Sequence, residues 1–226
     1  MRGPVTATTF PRYCFDSRVV GPGELFLAVR TDRGDGHDFI AAACRGGAAG
    51  VVCERPPEAV DLEATCIVVP DTRRAIEAYA AAAVRHSGVR VLAITGSAGK
   101  TSTKEAVAHV LAGRFRVFRN PGNYSGQYGL AIALGELADD HEVAVLEMAT
   151  DHFGEIAALV EMAPPEAAVV TAVAPAHLAA FRDLPGVAKE KGALVAALPP
   201  EGLAVLNADD PLVMEMAGRT RAPVAT

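Results

Sequence analysis

The chain has 226 residues, half of them hydrophobic and 21% charged, with a formal net charge of −6. That composition supports a buried core and excludes a disordered chain, and the acidic balance argues against a protein that grips nucleic acid along its phosphates. No basic stretch followed by an apolar run opens the chain, and the longest apolar run, around Ala78 to Val84, is far shorter than a membrane span. A cytoplasmic protein with no membrane insertion and no nucleic-acid partner is therefore expected. In chain order, the turn Gly21-Pro22-Gly23 precedes a predicted strand from Glu24 to Val29, a helix from Asp38 to Arg45, strands at Ala49 to Cys53 and Cys66 to Val69, and an Ala-rich helix from Thr72 to His86 that stops at Ser87-Gly88. Apolar runs at Val89 to Thr95, Val143 to Met148, Ala167 to Val173 and Leu203 to Leu206 then alternate with helical stretches at Lys104 to Leu111, Tyr128 to Leu137, Glu155 to Met162 and Val187 to Leu198. Ala222 to Thr226 reads as the start of a further strand.

Such alternation implies βαβ crossovers, hence an α/β fold with a mostly parallel sheet covered by helices. Two domains are expected, a small α/β unit at residues 1–88 and a larger P-loop unit at 89–226, joined near Ser87 to Arg90. The four cysteines, Cys14, Cys44, Cys53 and Cys66, have neither CxxC spacing nor a companion His cluster, and are expected to be reduced, mostly buried thiols.

The strongest local signal is Gly96-Ser97-Ala98-Gly99-Lys100-Thr101-Ser102-Thr103, set between a predicted strand and a predicted helix. Glycines let backbone N–H groups turn toward phosphate oxygens, a helix N-terminus adds positive potential, and Lys100 supplies a point charge for the terminal phosphates. Thr101 offers a hydroxyl to Mg²⁺. Five residues before Gly99 stands Ile94, so this is the shorter GxxGKT form of the phosphate loop. A triphosphate site also needs an anionic metal ligand from a neighbouring strand, and Glu147 ends the run Val143-Ala144-Val145-Leu146; the bland alternative is an ordinary carboxylate at a strand end. At about 100° per residue, Lys191 shares a stripe with Val187, Leu194, Val195 and Leu198, whereas Lys189 points away. A lysine on the inward face is a functional candidate, because burying it unpaired is costly; the alternative is a stem lying along the surface with its ammonium in water.

With these elements in order the chain resembles the Mur ligases, and within them the MurF type. In the first domain the resemblance rests on Asp16-Ser17-Arg18, Gly23 to Ala28, Asp35-Gly36-His37-Asp38-Phe39 and Gly47-Ala48. In the second it rests on the phosphate loop, Gly122-Asn123, Glu147-Met148, Gly154-Glu155-Ile156, Ala176-His177-Leu178, Ala188 to Gly192, and Asn207-Ala208-Asp209-Asp210. It implies an ATP-dependent ligase that forms an amide bond through an acyl phosphate, adding D-alanyl-D-alanine to a UDP-linked muropeptide in peptidoglycan synthesis, as a monomer. Residues 96–102 and Asn123 would bind ATP, and Lys100 would stabilise the transferring phosphoryl group. Thr101 and Glu147 would hold one Mg²⁺, and His177 with a carbamylated Lys191 would hold a second. Ser17, Arg18 and His37 would contact the UDP end of the substrate.

Departures from the family pattern fall near the substrates. Ser125-Gly126 replace paired asparagines, Asp151 stands where an amide is usual, Ala172 replaces an asparagine before the histidine, and Ala193 replaces a glutamate after Lys191-Gly192. The family's third domain has no counterpart in these residues, so the chain alone is not expected to complete the ligase cycle. Three alternatives stand beside that reading: a MurF-like ligase for another carboxylate and amine, a non-catalytic nucleotide-binding module, and, lowest, a P-loop kinase or simple NTPase, which explains neither the first domain nor the His177 and Lys191 pair.

Overall fold

The structure, a computed structural model, describes residues 5–31, 34–56, 63–122, 124–176 and 178–226. The predicted site residues Asn123 and His177 lie outside the described residues. The chain divides into two units, Met1–Ala78 and Tyr79–Thr226.

In the first unit, β1 (Tyr13–Cys14) and β2 (Leu25–Leu27) precede a short antiparallel pair, β3 (Arg30–Thr31) and β4 (Gly34–Asp35). A 3-10 turn at Gly36–Phe39 leads into α1 (Ile40–Arg45), followed by β5 (Gly50–Cys53), β6 (Thr65–Val68) and the start of α2 (Thr72–Ser87). Strands β1, β2, β5 and β6 form a parallel sheet in that order. Its core gathers Phe26, Ala28, Ile40, Ala43, Val51 and Cys53. The turn into α1 requires Gly36, since a Cβ there would lie 2.6 Å from the Val29 nitrogen. All four cysteines are free thiols; Cys14 and Cys53 are buried and the other two half-buried.

The second unit contains the end of α2, because the division falls inside that helix. Then come β7 (Arg90–Thr95), α3 (Lys100–Leu111), β8 (Val117–Arg119), α4 (Gln127–Leu134), β9 (Val143–Glu147), α5 (Glu155–Met162) and β10 (Ala167–Val170). The chain continues with α6 (Leu178–Phe181), α7 (Leu184–Ala196), β11 (Leu203–Leu206), α8 (Pro211–Met214), a 3-10 turn at Glu215–Arg219 and β12 (Val224–Ala225). The six strands are parallel in the order β12-β11-β10-β7-β9-β8. Every residue of β9 is buried, as expected of a strand covered on both faces, and this is why it reads as an unbroken apolar run. Register pairs Ile94 with Glu147 and Thr95 with Val170, so the carboxyl ends of β7, β9 and β10 share one edge of the sheet. That edge is where open parallel sheets form their ligand sites.

Three local expectations change. Helix α3 begins at Lys100 rather than Lys104, and its inward face carries Lys104, Ala108 and the partly buried Val107 and Leu111, while Val110 is 75% exposed. Strand β10 stops at Val170: Thr171 N–H makes a last rung to the Thr95 carbonyl, and Ala172 to Ala174 bond instead to Ser97 and Asp210. Edge strand β8 carries no readable signal: it is three residues long, preceded by Arg116 and ending in Arg119, and charged residues are a common guard on exposed edges. Among the described residues no helix is long and apolar enough to cross a membrane.

Candidate functional site

The loop between β7 and α3 turns through two residues in the left-handed half of conformational space, Gly96 at φ 149° and Gly99 at φ 79°. Only glycine fits at position 96, because a Cβ there would overlap the Thr171 hydroxyl. Gly99 caps α3 without a side-chain hydrogen bond, leaving the first-turn amides of Lys100, Thr101 and Ser102 with no intrahelical acceptor. Such a terminus attracts anions. The segment after β10 braces the loop. Ser97 N–H donates to the Ala172 carbonyl at 2.7 Å, and the Ser97 hydroxyl meets the Ala174 carbonyl and N–H at 3.1 and 3.0 Å. The Thr171 hydroxyl donates to the Ala98 carbonyl at 2.6 Å. Ser97, among the residues expected to bind ATP, thus also braces the loop through its amide and its hydroxyl.

Beside the loop, the Thr101 hydroxyl donates to Glu147 Oε2 at 2.7 Å. Glu147 is 4% exposed, at the last position of β9. A hydroxyl and a carboxylate in contact at the mouth of a phosphate loop are the hard oxygen donors that suit Mg²⁺, so these two residues fit the ion expected there.

Lys191 lies on the inward face of α7 and is 3% exposed. Burial pushes its amine down to about 8, with the positive charge of Lys100 adding to the effect and Glu190 opposing it. Glu190 is itself occupied, its carboxylate accepting the Gly154 and Ile156 amides at 2.9 Å and capping α5. Asn207 and Asp210 fix the brace: the Asn207 amide donates to the Thr171 carbonyl at 2.8 Å, and Asp210 Oδ2 accepts from Val173 N–H at 2.7 Å.

In the first unit the three predicted substrate contacts differ in kind. Arg18 is exposed and forms a bidentate pair with Asp16, whose carboxyl the guanidinium holds at about 2. Ser17 is half-buried beside it. His37 is buried, with Nδ1 bonded to Asp35 at 2.6 Å and Nε2 accepting the Glu54 N–H at 2.8 Å. With both ring nitrogens engaged inside the domain, it is a strut that ties β4 to the end of β5.

The chain matches the Mur ligase family, catalytic domain, over residues 13–91 and the Mur ligase middle domain over residues 94–226. It belongs to the Mur ligase family. Within the family the likeness is to MurF. The UDP-N-acetylmuramoyl-tripeptide--D-alanyl-D-alanine ligase of Mycobacterium tuberculosis is 38% identical over 93% of this chain and 45% of its own length. MurF from Acinetobacter baumannii superposes with a TM-score of 0.89 at 30% identity, covering 96% of this chain and 48% of that one. MurF from Thermotoga maritima, solved in complex with ADP, gives a TM-score of 0.83 at 33% identity over 94% of this chain and 49% of that one. The chain thus spans less than half the length of each of these relatives.

Around the phosphate loop of this Mur ligase chain, sequence reasoning missed Asn120 and Lys104. Lys104 falls within the run from Ile94 to Glu105 that carries the family resemblance, with no role assigned to it there, and Asn120 sits in no recognisable motif. Asn120 is 0% exposed and bonds both backbone groups of Glu147; Lys104 is 0% exposed and donates to the Asn120 carbonyl at 2.7 Å. The one available signal was a charged residue at an inward position of α3.

Proposed function

We propose that this chain carries the nucleotide and acyl-phosphate chemistry of a MurF-type ligase that joins D-alanyl-D-alanine to a UDP-N-acetylmuramoyl tripeptide in the cytoplasm. The observation that carries the reading is the contact between Thr101 and Glu147 at the mouth of the braced loop. In this reading a substrate carboxylate oxygen attacks the γ-phosphorus of ATP and ADP departs. The amine then attacks the acyl carbon, releasing phosphate and a proton. Lys100 and the first-turn amides of α3 stabilise the charge on the transferring phosphoryl oxygens. Thr101 and Glu147 would hold Mg²⁺, which would add further neutralisation of the phosphates.

Lys191 takes a second role. An amine titrating at about 8 is neutral in about one molecule in ten at pH 7, against about one in three thousand for an ordinary lysine. The neutral nitrogen adds to CO₂, forming an N–C bond and losing a proton. The resulting carbamate is an anion that relieves the buried cation and, with His177, supplies a second metal ligand set. Ser17, Arg18 and His37 are the first-domain candidates for the UDP end.

The test is Mg²⁺-dependent ADP binding by the chain and by Lys100→Ala. The variant is expected to lose about tenfold or more in affinity, as a charge-assisted phosphate contact is worth about 1.5–3 kcal/mol; equal affinities would refute the reading. Ser125-Gly126, Ala172 and Ala193 favour one competing reading, a ligase for a different carboxylate and amine. A panel of UDP-linked peptides separates the two, with binding to none of them supporting the competitor.

A further inference from the structure

Strand β9 has two neighbours for most of its length. On the β7 side the ladder continues past Glu147, with Met148 N–H donating to the Ile94 carbonyl at 2.8 Å. On the β8 side the register ends at Arg119 opposite Val145, so the backbone of Glu147 has no strand partner there. The next residue, Asn120, fills the gap with its side chain. Its Oδ1 accepts from Glu147 N–H at 2.9 Å and its Nδ2 donates to the Glu147 carbonyl at 3.0 Å, as a neighbouring peptide group would. The same Nδ2 donates to the Tyr124 carbonyl at 2.7 Å, which ties down the loop that follows.

Asn120 is in turn fixed from α3. Lys104 stands three positions after Thr101, and its ammonium donates to the Asn120 carbonyl at 2.7 Å while pairing with Glu105 at 3.1 Å. Glu105 also pairs with Arg119 at 3.2 Å. A wholly buried lysine is costly unless its charge is answered, and here it is answered by a carbonyl and a carboxylate. The helix that supplies Thr101 and the strand that supplies Glu147 are therefore bolted together by Lys104 and Asn120, immediately beneath the contact between that hydroxyl and that carboxylate.

We infer that Asn120, anchored by Lys104, is a positioning residue that presents the Glu147 carboxylate to the divalent ion bound with the nucleotide. The inference rests on the functional reading above and adds a residue to it. Removing a group that orients a metal ligand costs about 10–100-fold in metal affinity without touching the ion, and a merely structural residue would not single out the metal.

The experiment uses the whole chain, with Mn²⁺ as the paramagnetic probe. Its affinity is read by water-proton relaxation in saturating ADP, and ADP affinity is read separately in EDTA. Asn120→Leu, of similar volume and with none of the three bonds, is expected to weaken Mn²⁺ about tenfold or more and to leave ADP binding in EDTA unchanged. Asn120→Asp keeps one acceptor for Glu147 N–H but no donor, and is expected to fall between; it decides the matter if the leucine variant does not fold. Wild-type Mn²⁺ affinity in the folded variants overturns the inference, as does an equal loss of ADP affinity in EDTA. A wild-type chain that binds no Mn²⁺ with ADP overturns the functional reading first and this inference with it.

Discussion

At the scale of single residues, Lys191 carries the clearest physical signature. Its amine titrates at about 8 in the folded chain against an ordinary value near 10.5. The unfolded chain therefore holds more protons between those values, and stability rises with pH across that window. Below about 8 the full cost of a buried cation is present, on the order of 3 kcal/mol. Lys191→Met is accordingly expected to be the more stable protein at pH 7, by about that amount, with the advantage fading as pH approaches about 10. Urea unfolding of both proteins in bicarbonate-free buffer measures it, and a pH-independent difference would show that the amine is not held this way. Inward placement of Lys191 was legible from helical spacing alone, since the neighbours on its stripe are apolar. The bonding of His37 was legible only in part: Asp35 is two positions away, but the Glu54 amide that meets the other ring nitrogen is 17 positions away.

Among elements, the junction after β10 deserves its own test because it departs from the strand expected through Val173. Asp210 holds it from α8: one carboxylate oxygen accepts from Val173 N–H, and the other caps the helix through Leu212 and Val213. Replacing it with alanine removes a helix cap and strands a backbone donor, a loss of about 2 kcal/mol. Asp210→Ala should also weaken ADP binding, because Thr171 to Ala174 brace Ser97 and Ala98. A variant with lower stability and unaltered ADP affinity would mean the brace does not shape the loop. The strand, loop and helix around Gly96 were readable because glycine spacing and apolar runs are local properties. Strand β8 and its successor Asn120 were not: a strand of three residues carries no periodicity, and a side chain that imitates a peptide group leaves no pattern.

For the whole molecule, the two units have separate apolar cores, one around Phe26 and Ile40 and one around Ile94 and Val145. Ligand binding stabilises what it touches, by about 2.7 kcal/mol at a hundred times Kd. Hydrogen exchange with and without Mg²⁺ and ADP is thus expected to show added protection at residues 96–104 and 171–174 and little change in β2 and β5. Uniform protection of the chain, or protection confined to the first unit, would count against a nucleotide site at the loop.

By itself the sequence determined the α/β alternation, the parallel sheet, the phosphate loop and the family, because hydrophobic period, glycine placement and motif order are written along one dimension. Tertiary structure decided which amides of the loop stay open, that Ser97 and His37 serve as struts, and that Asn120 and Lys104 stand behind Glu147. Those outcomes depend on groups between 16 and 77 positions apart meeting at hydrogen-bond distance, and the register of the sheet, which local composition does not encode, brings them together.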